Sequence, residues 1–590
     1  MANFSLFQEL ARRNVLRAGV LYAGAVWALA QGIAQLAPTF GAPEWITRWF
    51  VIAGVIGLPF WLAFAWFYEF TPSGLKRESE IAADDSVAHS TGRKLDFWII
   101  GVLAVAVVLL LTDRFVVRRD AGAVDGPSIA VLPLGNESGD PAQQYFSDGL
   151  SEDLINALSQ FDRLKVISRN SSFQFRDSRD DAKTIGAKLG VAHLLEGSVR
   201  RAGGEVRISA QLVNAADGST LWSRQYDRPY TDLFKLQDEI AQAVAGELQA
   251  RLLASNDAAA QGDRPRSGNL AAYNAYLQGN FYFARGTEAD WRKAIDAYTT
   301  ATRLDPDYAL AWSALSVSWT GLAGGYLGGT PALQAYAQAR AAVTTALALQ
   351  PDLAAAHAAR GQLLAWADFD WTGAQSEYRR ALQLAPRDGA ALFSLGSLQA
   401  TLGQPEQAVA LARQALVTNP LNADWHVSLA SYLSGLNRLD EADSAVRKAI
   451  ELQPAAVEFH TQLTIIQIQR GDARAALAAA RQEPAGSWQD VAFALAQQIS
   501  GDQAAADAAL KNLIDRGATL APYQIAEVYA LRRDADNTFA WLDRAWAARD
   551  PGIGNLLFDP LILRYRDDPR FAAFCKKVGL PTTTDAVAMK

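Results

Sequence analysis

The stretch ALFSLGSLQATLGQPEQAVALARQALVTNP, residues 391–420, is followed at residues 425–454 by WHVSLASYLSGLNRLDEADSAVRKAIELQP. Laid over one another, the two superpose Ala408 on Ala442, Ala415 on Ala449 and Pro420 on Pro454. The same Ala-x6-Ala-x4-Pro pattern occurs three times earlier, at Ala294/Ala301/Pro306, Ala339/Ala346/Pro351 and Ala374/Ala381/Pro386. Each period has room for two helices. Small Ala side chains let the second helix lie close to its neighbours, and Pro closes it and starts the next turn. Leu392, Leu395 and Gly396 mark where the first helix of one pair packs on the second. The step from Pro306 to Pro351 is longer than the others. The excess is taken up by Gly321-Leu-Ala-Gly-Gly-Tyr-Leu-Gly-Gly329, which reads as a flexible insertion or a loop on one face.

A helix pair that recurs with a period of about 34 residues is the tetratricopeptide signature. It extends over residues 270–580 as about eight repeats. The last three, Val457–Pro484, Gln489–Asp515 and Pro522–Ala547, drift in spacing, as terminal units that cover an open apolar end do. Stacked first helices make a concave surface suited to an extended peptide or a partner's helix. On the best-registered repeats its exposed positions are Ala390, Phe393, Ser397, Asp424, Val427 and Ser431, the candidate partner-binding residues. That face is small, mildly apolar and poorly charged. It lacks the Lys/Asn/Arg set that clamps a C-terminal carboxylate. The competing reading is an array that serves mainly as spacer.

Upstream, residues 127–254 read as a compact α/β domain of order βαβαβββα, with 255–269 a linker to the array. Ser128–Pro133 is a short apolar run; Asp140-Pro141 reads as a helix cap and first turn. Gly203-Gly204 and Asp217-Gly218 separate three strand-like runs, as hairpin turns do. Catalytic motifs are missing: no Gly-rich phosphate loop, no G-x-S-x-G and no H-E-x-x-H. His193 and Glu196 lie on opposite faces of a strand. Asp148, Glu152 and Asp153 are candidates for a cation cluster, but their spacing reads more simply as the solvated face of a helix.

The first 120 residues carry uncharged runs at 18–38 and 49–68 and a purely apolar run at 97–111 that extends to about 115 if Arg114 snorkels, so 18–38, 49–68 and 97–115 read as transmembrane helices at lengths near ~20 residues. Trp45, Trp49, Trp66 and Tyr68 stand at run ends like an interfacial belt. Arg12, Arg13, Arg17, Lys76, Arg77, Arg93 and Lys94 outnumber Arg48, Arg114, Arg118 and Arg119, which predicts a cytoplasmic N-terminus and a periplasmic location for everything after about residue 120. Gly24, Ala28 and Gly32 repeat every four positions, for packing within the bundle or for self-association. The expected class is therefore multidomain: three transmembrane α-helices, a compact α/β domain, then an all-α solenoid.

Composition narrows the chemistry. The chain has 590 residues, half of them apolar, and a net charge of −7, which excludes a mainly disordered chain and argues against nucleic acid as partner. One cysteine, Cys575, and five scattered histidines leave little for a metal centre, so no metal or cofactor is expected.

Two regions resemble a bacterial family. The run Ser128–Leu158, with Tyr145-Phe146-Ser147-Asp148-Gly149-Leu150-Ser151-Glu152-Asp153, together with Leu195–Arg200 and Leu221–Asp227, is similar to the amino-terminal domain of TolB and to FlgO-type proteins, and the likeness spans the α/β domain. Phe7…Leu10-x-Arg12-Arg13-Asn14-Val15 and Phe70-Thr71-Pro72-x-Gly74-Leu75-Lys76 resemble the anchor that precedes it in such proteins. The resemblance implies a bacterial inner-membrane repeat protein; relatives carry cyclase or DNA-binding domains that have no counterpart here. A membrane-anchored, periplasm-facing scaffold without enzymatic activity is the expected function. The alternative is a sensor whose α/β domain binds a small molecule or envelope component.

Overall fold

The computed structural model describes residues 127–582 apart from 163, 249–250, 253–262, 327–328 and 520, and positions 22–24, 26–27, 30, 54, 57–59, 61, 68–71 and 74–77 before them. The chain divides into two compact units, Met1–Ala123 and Val124–Lys590.

In the first unit, β1 (Tyr68–Thr71) and β2 (Gly74–Arg77) form an antiparallel hairpin with Thr71 opposite Gly74. Tyr22 donates its hydroxyl to the Gly54 carbonyl at 3.0 Å and stacks on Trp61. Among the described residues no helix is long and apolar enough to cross a membrane. The expected class with three transmembrane helices is corrected accordingly: the described fold is a mostly helical repeat solenoid with a small α/β region. Run length and flanking aromatics report composition only, whereas crossing needs an unbroken apolar helix. The run 97–115 lies wholly outside the described residues, as do most of 18–38 and 49–68 and the small-residue position Ala28.

The second unit opens with the α/β region. Its sheet runs β6-β3-β7-β8-β9, with β4 beside β7. The strands are β3 (Ser128–Val131), β4 (Gly135–Asn136), β6 (Lys165–Val166), β7 (His193–Ala202), β8 (Glu205–Asn214) and β9 (Thr220–Pro229), while β5 (Phe161–Asp162) pairs with Arg251–Leu252 outside this sheet. β3 lies parallel to β6 and β7, all four of its residues are buried, and both its faces are therefore covered. The meander β7-β8-β9 turns at Gly203 and Gly218, both at positive φ, where glycine costs no Cβ strain. Gly197 has a second reason: a Cβ there would run into the Ser209 carbonyl of β8.

One face of the sheet packs on α1 (Gln144–Ser159) and α4 (Leu233–Glu247), and that core continues into the first repeats through Tyr273, Leu277 and Tyr298. The other face packs on α3 (Ala182–Leu189) and Phe175, and its core reaches Leu421 and Leu452 of the array. α2 (Arg169–Ser172) makes the second docking point. The Ser168 amide donates to the Thr418 carbonyl at 2.8 Å, and the buried Ser171 hydroxyl donates to Asn419 Oδ1 at 2.6 Å while accepting from the Leu421 amide at 3.0 Å. The α/β region is thus gripped by the array in two places.

The array has eight helix pairs among the described residues: α5/α6 (Leu270–Phe283, Glu288–Leu304), α7/α8 (Ala309–Tyr326, Gly329–Leu349), α9/α10 (Ala354–Leu363, Trp371–Leu384), α11/α12 (Gly389–Thr401, Pro405–Thr418), α13/α14 (Ala423–Gly435, Leu439–Leu452), α15/α16 (Phe459–Gln469, Ala473–Gln482), α17/α18 (Ser487–Gln497, Gln503–Gly517) and α19/α20 (Pro522–Leu531, Ala535–Ala547). The paired alanines of the repeat pattern, from Ala294/Ala301 to Ala442/Ala449, sit at the helix contacts with at most 1% exposure. Side-chain caps recur at the starts: Asn269, Thr287, Asp370, Asp388, Asn422 and Asp472 each accept from an amide of the first turn. The Gly321–Gly329 insertion is mostly helical rather than a loop, because α7 and α8 are longer than their counterparts, 18 and 21 residues. Its glycines accept aromatic rings from neighbours, Trp291 over Gly321 and Trp366 over Gly324.

Beyond α20 the chain turns back. The Trp371 indole donates to the Val578 carbonyl at 3.2 Å, just after α21 (Pro569–Lys577). Phe558 meets Tyr432 edge-on at 5.4 Å, and Leu557 lies beside Gly403.

Candidate partner-binding face

The first helices of successive pairs, α9, α11, α13, α15, α17 and α19, lie side by side and make one face of the array. Two other parts of the chain wall it. At the C-terminal ends of α11 and α13 stand Leu557 and Phe558. At the N-terminal end of α13 stands the α/β region, where Gln174 donates to the Leu421 carbonyl at 2.7 Å.

Between these walls lie the six candidate residues. Ala390 and Asp424 are exposed; Phe393, Ser397, Val427 and Ser431 are half-buried. Phe393 stacks on Trp425 with ring centroids 4.9 Å apart and planes at 10°, an offset pair worth about 1 kcal/mol beyond its area. Phe393 and Val427 pack on the same core. Ser431 donates to the Val427 carbonyl at 3.1 Å, so part of this face is already engaged in its own helix. Ser397 and Ser428 face the buried Tyr432 phenol, whose ionisation is pushed up to about 12 by burial.

Trp425 and Glu458 belong to the face as well. Glu458 precedes α15 with φ of 77, a left-handed conformation that costs a non-glycine residue about 1 kcal/mol. The buried Glu483 holds it there, accepting from the Glu458 amide at 2.5 Å and from the Thr461 amide and hydroxyl at 2.8 and 3.1 Å. A carboxylate from the end of the same repeat, just after α16, thus caps α15, whose own N-cap side chain makes no such bond. Nothing in the local pattern around Val457 signals this, because the capping group arrives from 25 positions away.

Electrostatically the face stands apart. Elsewhere in the array Asp290, Asp368, Glu377, Glu441, Asp443 and Asp490 each meet an Arg or Lys. Asp424 and Glu458 have no cationic partner among the described residues. Both reach solvent, yet protein crowds them: burial raises the Asp424 carboxyl, and burial followed by the charges of Glu483 and Asp424 brings Glu458 up to about 7.

The acidic residues of α1 are placed otherwise than the sequence suggests. Asp148 and Asp153 are 4% and 7% exposed, because α1 is covered by α4 and the first repeat, so they do not form a solvated face. Among the described residues no group of three or more His, Cys, Asp or Glu side chains has the arrangement of a metal site.

A tetratricopeptide repeat family model matches residues 425–455, which are α13, α14 and the following turn. That segment is a tetratricopeptide repeat. A Rhizobium meliloti (strain 1021) protein named "Putative adenylate cyclase 3" is 46% identical over 131 residues, 22% of each chain. The chain thus spans about a fifth of that relative's length. Solved structures similar to this one include PilW, a type IV pilus biogenesis factor, at 21% identity and a TM-score of 0.31, over 36% of this chain and 92% of that one. Pseudomonas aeruginosa pilF follows at 18% and 0.29, over 36% and 90%, and yeast Tom70 at 15% and 0.33, over 59% and 82%. These likenesses concern the helical-pair fold alone. Neither the family model nor the relative identifies residues 127–254 as TolB-like.

Proposed function

We propose that this chain is a scaffold that holds an extended, basic segment of a partner protein along the first helices of its repeats. The observation that carries the proposal is the pair Asp424 and Glu458, two carboxylates beside the aromatic stack Phe393–Trp425 with no cation of their own among the described residues. A Lys or Arg from a partner supplies the missing charge, and its alkyl stem covers the rings. A peptide laid across successive first helices is the geometry by which such arrays bind.

A photo-activated cross-linking residue at Ser431 tests the reading, with the same residue at the exposed Gln414 of α12 as control. One defined partner captured at Ser431 and not at Gln414 is expected. Equal capture at both positions sinks it.

Two finer points belong to the same proposal. The α/β region is a TolB-like module, supported by the runs Ser128–Leu158 and Leu195–Arg200. The second unit works outside the cytoplasm in a bacterial envelope, the setting implied by its resemblance to TolB and FlgO-type proteins. A compartment-specific reporter fused after Lys590 decides the latter.

A further inference from the structure

Where α1 meets the first repeat, five carboxylates face three guanidinium groups. α1 supplies Asp148, Glu152 and Asp153; α4 supplies Asp238; the segment entering the array supplies Asp263 and Arg264; α2 and the turn after it supply Arg169 and Arg176. The repeats contribute neutral groups: Tyr273, Tyr276 and Asn280 from α5, Tyr298 from α6, and Tyr308 just before α7. The cations are all committed. Arg176 pairs with Asp148 at 2.7 Å, Arg169 with Glu152 at 3.3 Å, and Arg264 clasps Asp238 through two bonds of 2.5 and 2.9 Å.

Asp153 and Asp263 are left with amides. Gln237 donates to Asp153 at 2.6 Å and to the Tyr273 hydroxyl at 3.1 Å; Asn156 donates to Asp263 at 2.6 Å. Amides orient a carboxylate but do not neutralise it. Asp153 and Asp263 also repel each other, and Glu152 repels both. Gln237, itself 1% exposed, has an Oε1 with no donor among the described residues. A protonated Asp153 would supply that donor once the amide is turned over.

The seam is also tightly packed. Gly149 of α1 lies against Leu277 of α5 so closely that a Cβ on Gly149 would come within 2.5 Å of the Leu277 side chain. The Tyr308 hydroxyl donates to the backbone carbonyl of Asp263 and ties the entering segment to the repeats. Water that could screen an ionised carboxylate has little room.

We propose that this seam is a proton-operated joint, in which protonated Asp153 and Asp263 seat the α/β region on the first repeat and their ionisation loosens it. Burial, reinforced by the neighbouring carboxylates, holds Asp153 well above the usual carboxylate range and brings Asp263 to about 7. A free carboxyl of this kind titrates near ~4. The docked state therefore binds these protons more tightly than the undocked one. Docking is strongest below about pH 4 and weakens as pH rises, and the part carried by Asp263 levels off above about 7.

Hydrogen exchange on the full chain, corrected for the chemical pH dependence of exchange, reads this directly. Protection of residues 144–159 and 270–283 is expected to fall at least ~tenfold between about pH 5.5 and about pH 8, while residues 405–435 hold theirs. The double variant Asp153→Asn/Asp263→Asn should keep its protection at both values. Protection in the native protein that does not change with pH overturns the proposal, as does the same fall in the double variant. Should the double variant not fold, Asp263→Asn alone serves. The native protein at about pH 6 should then show a protonated-carboxyl infrared band that Asp263→Asn lacks, and its absence in the native protein overturns the proposal equally.

Discussion

Trp371 and Val578 are joined by a hydrogen bond across 207 residues, from the indole of one to the backbone carbonyl of the other. Trp371 is buried, and Gly579 lies beside its ring. The bond fastens the last helix of the array to its third pair. Trp371→Phe should remove the hydrogen bond while keeping most of the packing, at about 1 kcal/mol, and Trp371→Ala should cost about 3–5 kcal/mol. Urea unfolding followed by circular dichroism separates the two, and an unchanged stability in Trp371→Phe would show that the bond itself contributes nothing.

Ser171 is the corresponding fastener on the α/β side. Both bonds of its buried hydroxyl cross to the array, to Asn419 and Leu421. Ser171→Ala strands an acceptor and an amide, which costs about 1–3 kcal/mol. Faster hydrogen exchange of the Leu421 amide, with β7 and β8 unchanged, is the expected sign.

Glu483→Gln should lower stability by about 1 kcal/mol, because a neutral amide caps α15 more weakly than a carboxylate. Glu483→Ala should cost more, since it leaves Glu458 in a left-handed conformation with no acceptor for its amide. Thermal melting of the two variants checks the order.

Partner binding should depend on pH and on charge sign. Glu458 ionises at about 7, so affinity for a basic peptide should rise between about pH 6 and about pH 8. Stability runs the other way. The folded carboxyl titrates above its unfolded value, so the cost of carrying it grows as pH rises towards 7 and is constant beyond. Asp424→Lys with Glu458→Lys should abolish binding of a Lys-rich peptide, and Phe393→Ala should weaken it by about 2 kcal/mol. Calorimetric titration with Lys-rich and Glu-rich peptides of equal length decides; preference for the Glu-rich peptide would refute the assignment.

Cys575 is fully buried in α21, and burial pushes its thiol up to about 11. Alkylation should therefore be negligible in the folded protein near neutral pH and should appear only on unfolding. Labelling that keeps pace with the unfolding curve checks this; rapid labelling of the native chain would contradict the packing of the last helix.

The repeats are legible because their signal is local and periodic. Ala408, Ala415 and Pro420 state their role within one short stretch of chain, and the structure buries each alanine where the spacing places it. Gly203 and Gly218 announce their turns in the same way. Asp148 and Asp153 mislead because helical spacing tells which residues share a face but not what covers it. The covering groups, Arg176, Gln237 and Tyr273, come from later elements of the chain. The apolar runs before residue 120 are read by length and composition, and neither states whether the chain forms an unbroken apolar helix there. Among the candidate residues, the stacking of Phe393 on Trp425 depends on how neighbouring repeats meet and cannot be counted from either repeat alone.

The return of the C-terminal segment also sets a timetable. An open solenoid can complete each repeat as it leaves the ribosome, since neighbours are its only requirement. Here Trp371 and Tyr432 wait for residues as late as Phe558 and Val578. At about 5–20 residues per second, the 207 residues between Trp371 and Val578 take roughly 10–40 s to synthesise. For that interval the aromatic surface of the middle repeats stands uncovered on the nascent chain. It is the period in which a chaperone has most to bind, and in which a truncated product would be most prone to aggregate.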